Sequence, residues 1–392
     1  MQDVFIVAPV RTAIGTFGGM FKDILSNELA IPVVKSVLEK TGIDPAELDD
    51  VIFGNCFMRT DESNVARVTA LKAGIPYTVP AVTIQRQCSS SMQATVFAAQ
   101  KIWAGDADMC LVGGVEAMSQ APYVLKDARW GKRLMHSQMT DSIWEGLTCP
   151  NKGIIMGVTA ENLAEKYGIT REEQDVVAAR SHANASAAST SGRFKDEIVP
   201  VEIPGRKGKV TVCDTDEHIR HDLTLEGLAK LRPTFKKDGT VTAGSSSGIN
   251  DGASAALVVS GKKLKELGLT PDARIVSHAV AGVEPELMGY GPVPATQKAL
   301  NKAGMTLDQI GLIEVNEAFA AQYLACEKGL ELNRDIVNVN GSGIGLGHPV
   351  GATGLRIMVT LVHEMKKRSV QYGLATLCVG GGMGKTVIVE NV

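Results

Sequence analysis

An internal repeat limits the architectures open to this 392-residue chain. Sliding the sequence by 268 places Gly105, Ala107, Cys110, Gly113 and Gly114 on Gly373, Ala375, Cys378, Gly381 and Gly382. Sliding it by 262 places Leu38, Lys40 and Gly42 on Leu300, Lys302 and Gly304. Both offsets preserve the order helix, glycine, strand, helix, strand, which predicts two similar halves packed together. The strand LVVS before Gly261 then has its counterpart in TVIVE at the C-terminus.

Each half alternates strand and helix. Val4–Ala8 is a short apolar run. A helix follows over Asn27–Lys40, with Ser26 suited to cap it and Gly42 to end it in the left-handed region. Strands at Val51–Gly54, Ala81–Ile84 and Met109–Gly113 alternate with helices near Asn64–Ala73 and from about Cys88. The last of these helices puts Met92, Val96, Ala99 and Trp103 on one face. The rhythm predicts an α/β fold with a largely parallel sheet. From about Ala117 to Ser247 it degrades, with helices near Thr159–Tyr167 and Arg171–Ser191. That stretch reads as an insertion. GASAALVVS restores a strand and the βα pattern resumes at Ala273. The division is residues 1–117 with 248–272, an inserted loop domain over 118–247, and a second half over 273–392.

Composition narrows the function classes. Forty Lys and Arg against 43 Asp and Glu give a net charge of −3, so no basic field exists to hold a polyanion, and nucleic acid is excluded as an expected partner. No run approaches the roughly 18 apolar residues that span a bilayer, so no membrane is expected either. The N-terminus has Asp3 and no basic segment ahead of an apolar core, unlike a secretory signal. Seven Cys stand singly, without zinc or disulfide spacing. A reducing, cytoplasmic location and no metal are the expectations.

Four stretches carry chemistry. In VTIQRQCSSSMQA a strand runs through a small-residue turn into a helix with Cys88 at its start, where unpaired N–H groups and the positive helix end favour a thiolate nucleophile. In NVNGSGIGLGHPVGATG, His348 stands before a stiff Pro in a loop with six glycines, and the spacing fits neither a Walker loop nor GxGxxG. LCVGGGMG ends a buried strand at Cys378, and Gly380–Gly382 can turn N–H groups on an oxyanion. EVNEAFAAQ places Asn316 and Glu317 after an apolar strand, at the opening of a helix. Taken singly, each has a plain structural reading: a small buried Cys, a structural His, a tight turn, an N-cap.

Together, and in this order, they resemble the thiolase family over nearly the full chain. The family pattern is a nucleophilic Cys in an early turn, then NEAF, GHPxGxxG and CxGGG. VRTAIGTFGG at 10–19, EGLAKLRPTFKKDGTVTAG at 226–244 and MGYGP at 288–292 also look familial. The resemblance implies duplicated α/β halves in a five-layered αβαβα fold with an inserted loop domain. It implies ping-pong acyl transfer between coenzyme A thioesters: condensation of two acetyl-CoA to acetoacetyl-CoA, or the reverse thiolysis of a 3-ketoacyl-CoA. Cys88 would be the nucleophile, His348 would take its proton, and Cys378 would be the acid/base at C2. His348 and a water on Asn316 would bind the enolate oxygen, and the N–H groups of Cys88 and Gly380 the tetrahedral oxyanion. Arg220 and Ser247 would contact CoA, with Met156, Phe235, Met288 and Phe319 as apolar walls; Arg220 alone could equally be a solvated loop charge. CoA is then a substrate, and no metal or redox cofactor is implied. The family also implies a homo-oligomer, dimer or tetramer, with RWGKRLM at 129–135 where tetramer contacts fall.

Two departures bear on specificity. Ile155 fills a place where the short-chain biosynthetic branch has a His, and the preceding loop CPNKG is longer, which favours a wider pocket for longer 3-ketoacyl chains. Ser91 replaces a usual Gly, and GSGIGLGHP replaces GGAIALGHP, with no consequence assigned. Two rivals remain. A ketoacyl synthase shares the fold but lacks the base Cys of CxGGG and the NEAF run. A silent acyl-CoA-binding relative would be expected to have lost a catalytic position, and none is missing here.

Overall fold

The computed structural model describes residues 2–205 and 208–392. Its main strands are β1 (Val4–Thr12), β2 (Asp50–Gly54), β3 (Ala81–Ile84), β4 (Met109–Ala117), β5 (Asn250–Ser260), β6 (Ala273–Gly282), β7 (Leu312–Val315), β8 (Tyr372–Val379) and β9 (Met383–Glu390). The main helices are α1 (Ser26–Thr41), α2 (Val65–Lys72), α3 (Ser90–Ala104), α4 (Met156–Tyr167), α5 (Arg171–Thr190), α6 (Pro292–Ala303), α7 (Ala320–Leu330) and α8 (Val350–Arg368). The strands hydrogen-bond in the order β7-β8-β9-β6-β1-β5-β4-β2-β3. The halves meet where β1 and β6 share only the pairs Phe5–Arg274 and Ile6–Ala273.

Three apolar cores separate the layers. Val7 and Val10 of β1 face α1 and α2. Val4 and Ile6 share a face, and each lies an odd number of residues from Val7 and so opposite to it; they join the core between the halves, which is built on α3 and α8. In β8, Ala375, Leu377 and Val379 face that same central core, while Leu374 and Cys378 face an outer one with α4, α6 and α7. The five-layered α/β fold follows from this alternation. On α3, Met92, Val96 and Ala99 are buried and Trp103 packs at the margin, as their spacing requires.

Several expectations need correction. The sheet is mixed: β3, β2 and β4 are parallel, as are β7 and β8, but every other junction among these nine strands is antiparallel. No crossover helix joins β8 to β9, so that pair folds back through the turn at Gly380–Gly382. The repeat is real at the shorter offset only. Gly42 and Gly304 both end a helix in the left-handed region, with φ 63° and 66°. Val51 pairs with Leu111 where Ile313 pairs with Leu374, which fixes offsets of 262 and 263. The 268 match is therefore five residues out of strand register: Gly105 ends α3, whereas Gly373 lies inside β8. Ser26 is the first residue of α1 rather than its cap, because the carboxylate of Glu62 takes the N–H groups of Ser26 and Asn27 at 3.3 and 2.7 Å.

The two central helices touch almost backbone to backbone. A Cβ on Gly354 of α8 would stand 2.7 Å from the backbone nitrogen of Met92 in α3. Gly354→Ala therefore loses about 1–3 kcal/mol to overpacking despite alanine's better helix propensity, read as a lower Tm. A Tm unchanged or raised would mean that this layer has slack.

Candidate functional site

Each half sends its chemistry to the same place, the ends of β3 and β8 and the starts of α3 and α8. Between β3 and α3 the chain turns through Gln87, a non-glycine residue at φ 44°. Such a backbone persists only where its surroundings hold it. Here Ser90 Oγ accepts the Arg86 N–H at 2.8 Å and donates to the Gln87 carbonyl at 2.7 Å, while Ser89 Oγ donates to the Arg86 carbonyl at 3.0 Å. The turn presents Cys88 just before the first turn of α3. Burial pushes its thiol up to about 11, against the N–H groups of Gly380 and of Cys88 itself, which pull it down.

His348 lies between the short helix Gly343–Leu346 and α8. Its N–H donates to Asn250 Oδ1 at 2.9 Å, which fixes the backbone. Its Nδ1 is 2.7 Å from Thr353 Oγ1, and that hydroxyl spends its own hydrogen on the Pro349 carbonyl at 2.9 Å. Nδ1 must then carry the proton, leaving Nε2 with a free lone pair. Burial and the charge of Arg356 lower its pKa to about 3, so the ring is a neutral base at working pH. Asn316 Nδ2 is 3.5 Å from Nε2.

Cys378, near the end of β8, is fully buried, and burial with the neighbouring Cys88 pushes its thiol well above the usual range. Gly380, in the turn that follows, is half-buried and directs its N–H at Cys88. Asn316 is fully buried. Asn316 and Glu317 do not open the helix: α7 begins at Ala320. Glu317 instead accepts from Asn338 Nδ2 at 2.8 Å and from Ser181 Oγ, tying α5 to the loop before His348.

One cavity of about 500 Å³ reaches this chemistry. Cys88 and His348 line it, as do Met156, Arg220, Phe235, Ser247, Met288 and Phe319. Cys378, Asn316 and Gly380 are not among its lining residues. Phe235 and Phe319 meet edge to face at 5.9 Å, and Ser247 is drawn in because its N–H donates to the Ala318 carbonyl at 2.9 Å. Ile155 lines the cavity with Met118, Ile143 and Leu147, an apolar stretch with no polar group at position 155.

Sequence reasoning missed several supports. Glu116 is a fully buried carboxylate that accepts from Asn55 Nδ2 and from the N–H groups of Cys56, Phe57 and Gly351 at 2.7–3.0 Å. It thereby holds the start of α8 to the loop after β2. A lone acid inside the apolar run of β4 was its signal. Thr353 and Asn250, which fix the ring and backbone of His348, and His182 and His218, which line the cavity, offered none.

Comparison with known proteins gives concordant results. Residues 4–262 match the family model described as Thiolase, N-terminal domain, and 269–391 that described as Thiolase, C-terminal domain. The chain is 52% identical to an acetyl-CoA acetyltransferase of Chromobacterium violaceum, over 100% of both chains. It is similar to the crystal structure of the Bacillus anthracis acetyl-CoA acetyltransferase, with TM-score 0.98, 54% identity, and 100% of this chain and 99% of that one covered. It is also similar to the crystal structure of human mitochondrial 3-ketoacyl-CoA thiolase, with TM-score 0.97, 44% identity and coverage of 100% and 99%.

Proposed function

The chain belongs to the thiolase family, and from that premise we propose that it exchanges acyl groups between coenzyme A thioesters through an acyl-Cys88 intermediate. It is an acyltransferase, making acetoacetyl-CoA from two acetyl-CoA or cleaving 3-ketoacyl-CoA with CoA. One observation carries this reading: a thiol and an imidazole from opposite halves open on one cavity, with a second thiol buried beside the first.

The proton inventory closes in the thiolytic direction. His348 Nε2 takes the Cys88 proton, and the thiolate attacks the 3-keto carbonyl of the substrate. The oxyanion faces the N–H groups of Cys88 and Gly380, each such donor being worth about 10²–10³ in rate. Collapse breaks the C2–C3 bond and expels the acetyl-CoA enolate. His348 and the Asn316 region stabilise it, and the Cys378 thiol protonates its C2. A thiol kept protonated by burial suits that step. CoA–SH then returns a proton to Cys378, its thiolate attacks acyl-Cys88, and Cys88 leaves to recover its proton from His348. CoA thioesters are the substrates, and no step calls on a metal or redox cofactor.

Two further parts of the reading go beyond family membership. Seven free cysteines fit a reducing cytoplasm. Self-association is supported by the open edge of β3, where Val82 is exposed, with Tyr77 exposed in the turn before it.

The apolar stretch around Ile155 favours longer 3-ketoacyl chains as additional substrates. The test is CoA-dependent thiolysis of acetoacetyl-, 3-ketohexanoyl- and 3-ketodecanoyl-CoA. All three are expected to be cleaved, and the six-carbon substrate is expected to match or exceed the four-carbon one in kcat/KM, since each extra methylene accommodated in an apolar pocket contributes about 1–3 kcal/mol. Cleavage of acetoacetyl-CoA alone would restrict the enzyme to four carbons. Cleavage of none would remove the acyltransferase reading.

A further inference from the structure

We propose that His182 is a positioning residue: its imidazole anchors the backbone of the Arg220 segment and so sets how tightly the acyl-CoA arm is held. The proposal rests on the acyl-CoA reading of the cavity.

Ser181 and His182 are consecutive on α5, both buried, and they fasten different loops. Ser181 Oγ accepts the N–H groups of Gly345 at 2.9 Å and Ser342 at 3.3 Å, in the segment leading to His348. His182 Nδ1 accepts the N–H of Arg220 at 3.1 Å. Burial, with His218, Arg220 and His221 adding positive charge nearby, lowers the pKa of His182 to about 3, so that Nδ1 keeps its lone pair and Nε2 its proton. The rings of His182 and His218 lie 6.1 Å apart, and both line the cavity with Arg220.

From Asp214 to Thr224 the chain has neither helix nor strand to hold its backbone. Its upstream end is tied down by the Glu217 N–H on the Ile14 carbonyl at 2.9 Å and by Asp216 on Arg11. Downstream, the next helical turn starts only after Thr224. His182 therefore holds the Arg220 N–H itself, between Ile219, which is buried in a small apolar cluster, and His221, whose Nδ1 meets Ser186 Oγ at 2.8 Å. A buried N–H deprived of its acceptor is costly, and a segment without regular structure avoids that cost by moving. The guanidinium moves with it.

The test compares His182→Leu, which removes the acceptor, with His182→Asn, whose Oδ1 keeps a neutral acceptor close to the position of Nδ1. Hydrogen exchange over residues 218–223 and steady-state thiolysis are read for each. His182→Leu is expected to speed exchange in that segment and to raise KM for CoA and acyl-CoA about tenfold, with kcat within about twofold. His182→Asn is expected to restore both. Unchanged exchange and KM in the leucine variant would overturn the proposal. So would a loss confined to kcat, or failure of the asparagine variant to differ from leucine. His182→Ala carries the same comparison if leucine does not fold. Wild-type protein that cleaves no acyl-CoA would remove the functional reading alone, because exchange still reports the anchor.

Discussion

Cys88→Ala abolishes the acyl-enzyme and lowers thiolysis by roughly 10⁴–10⁶-fold, the scale on which loss of a covalent nucleophile is felt. Intact-protein mass spectrometry after mixing with acetyl-CoA shows the added acetyl group on wild type and none on the variant. The loss is this large because no neighbouring group replaces the thiol: Cys378 is fully buried and Cys56 is turned to Gln87 Oε1 at 3.1 Å. The free enzyme should also betray the state of Cys88. With the thiol raised to about 11, alkylation by iodoacetamide climbs about tenfold per pH unit, in step with the thiolate fraction. It should reach no plateau below about pH 10. A plateau near pH 7 would mean that Cys88 rests as a thiolate.

Cys378→Ala separates the two half-reactions. Acylation of Cys88 by acetyl-CoA persists, because the nucleophile, His348 and the Gly380 N–H are untouched and CoA, unlike a carbanion, leaves as a stable thiolate without the Cys378 proton. Exchange of the C2 protons of acetyl-CoA with deuterated water, condensation and thiolysis fall together by about 10²–10⁴-fold, the contribution of one positioned acid or base. A variant that condensed at the wild-type rate would leave the second thiol without a role. Loss of acylation as well would mean that Cys378 supports Cys88 rather than the substrate carbon.

Much of this was legible because the chemistry sits at element ends, where short motifs mark both the backbone and the side chain. Cys88 follows a strand and precedes a helix. His348 precedes a proline, and Cys378 precedes three glycines. The cavity wall at Met156, Phe235, Met288 and Phe319 was legible only through family resemblance, since isolated apolar residues give no sign of where they meet. Strand direction was not legible either. A buried strand has the same composition whether it runs parallel or antiparallel, and β5 and β9 give no local sign of which way they enter the sheet. The 268 offset misled because glycines recur wherever a turn or a close packing demands one, so Gly105 and Gly373 match in letter while serving different ends. Asn250 and Thr353 each reach His348 through one hydrogen bond, across 98 and 5 residues, and polar residues of that kind are too common to be singled out by type.

The near-contact of α3 and α8 divides labour within the molecule. A Cβ on Gly354 would stand 2.7 Å from the Met92 nitrogen, and one on Gly114 of β4 would stand 2.6 Å from the Gly351 carbonyl, so the helices that follow Cys88 and His348 are held in register by close approach of main chain. Rotamer changes cannot tune that register, and any substitution that widens it shifts both reacting groups at once. The cavity wall proposed to meet the acyl chain lies elsewhere, on Ile143, Leu147 and Ile155, all in the long segment between β4 and β5. Descendants of such a chain can explore new substrates by redrawing that segment while inheriting the reaction unchanged. The two halves would then supply a fixed instrument, and the segment between β4 and β5 would decide what is brought to it.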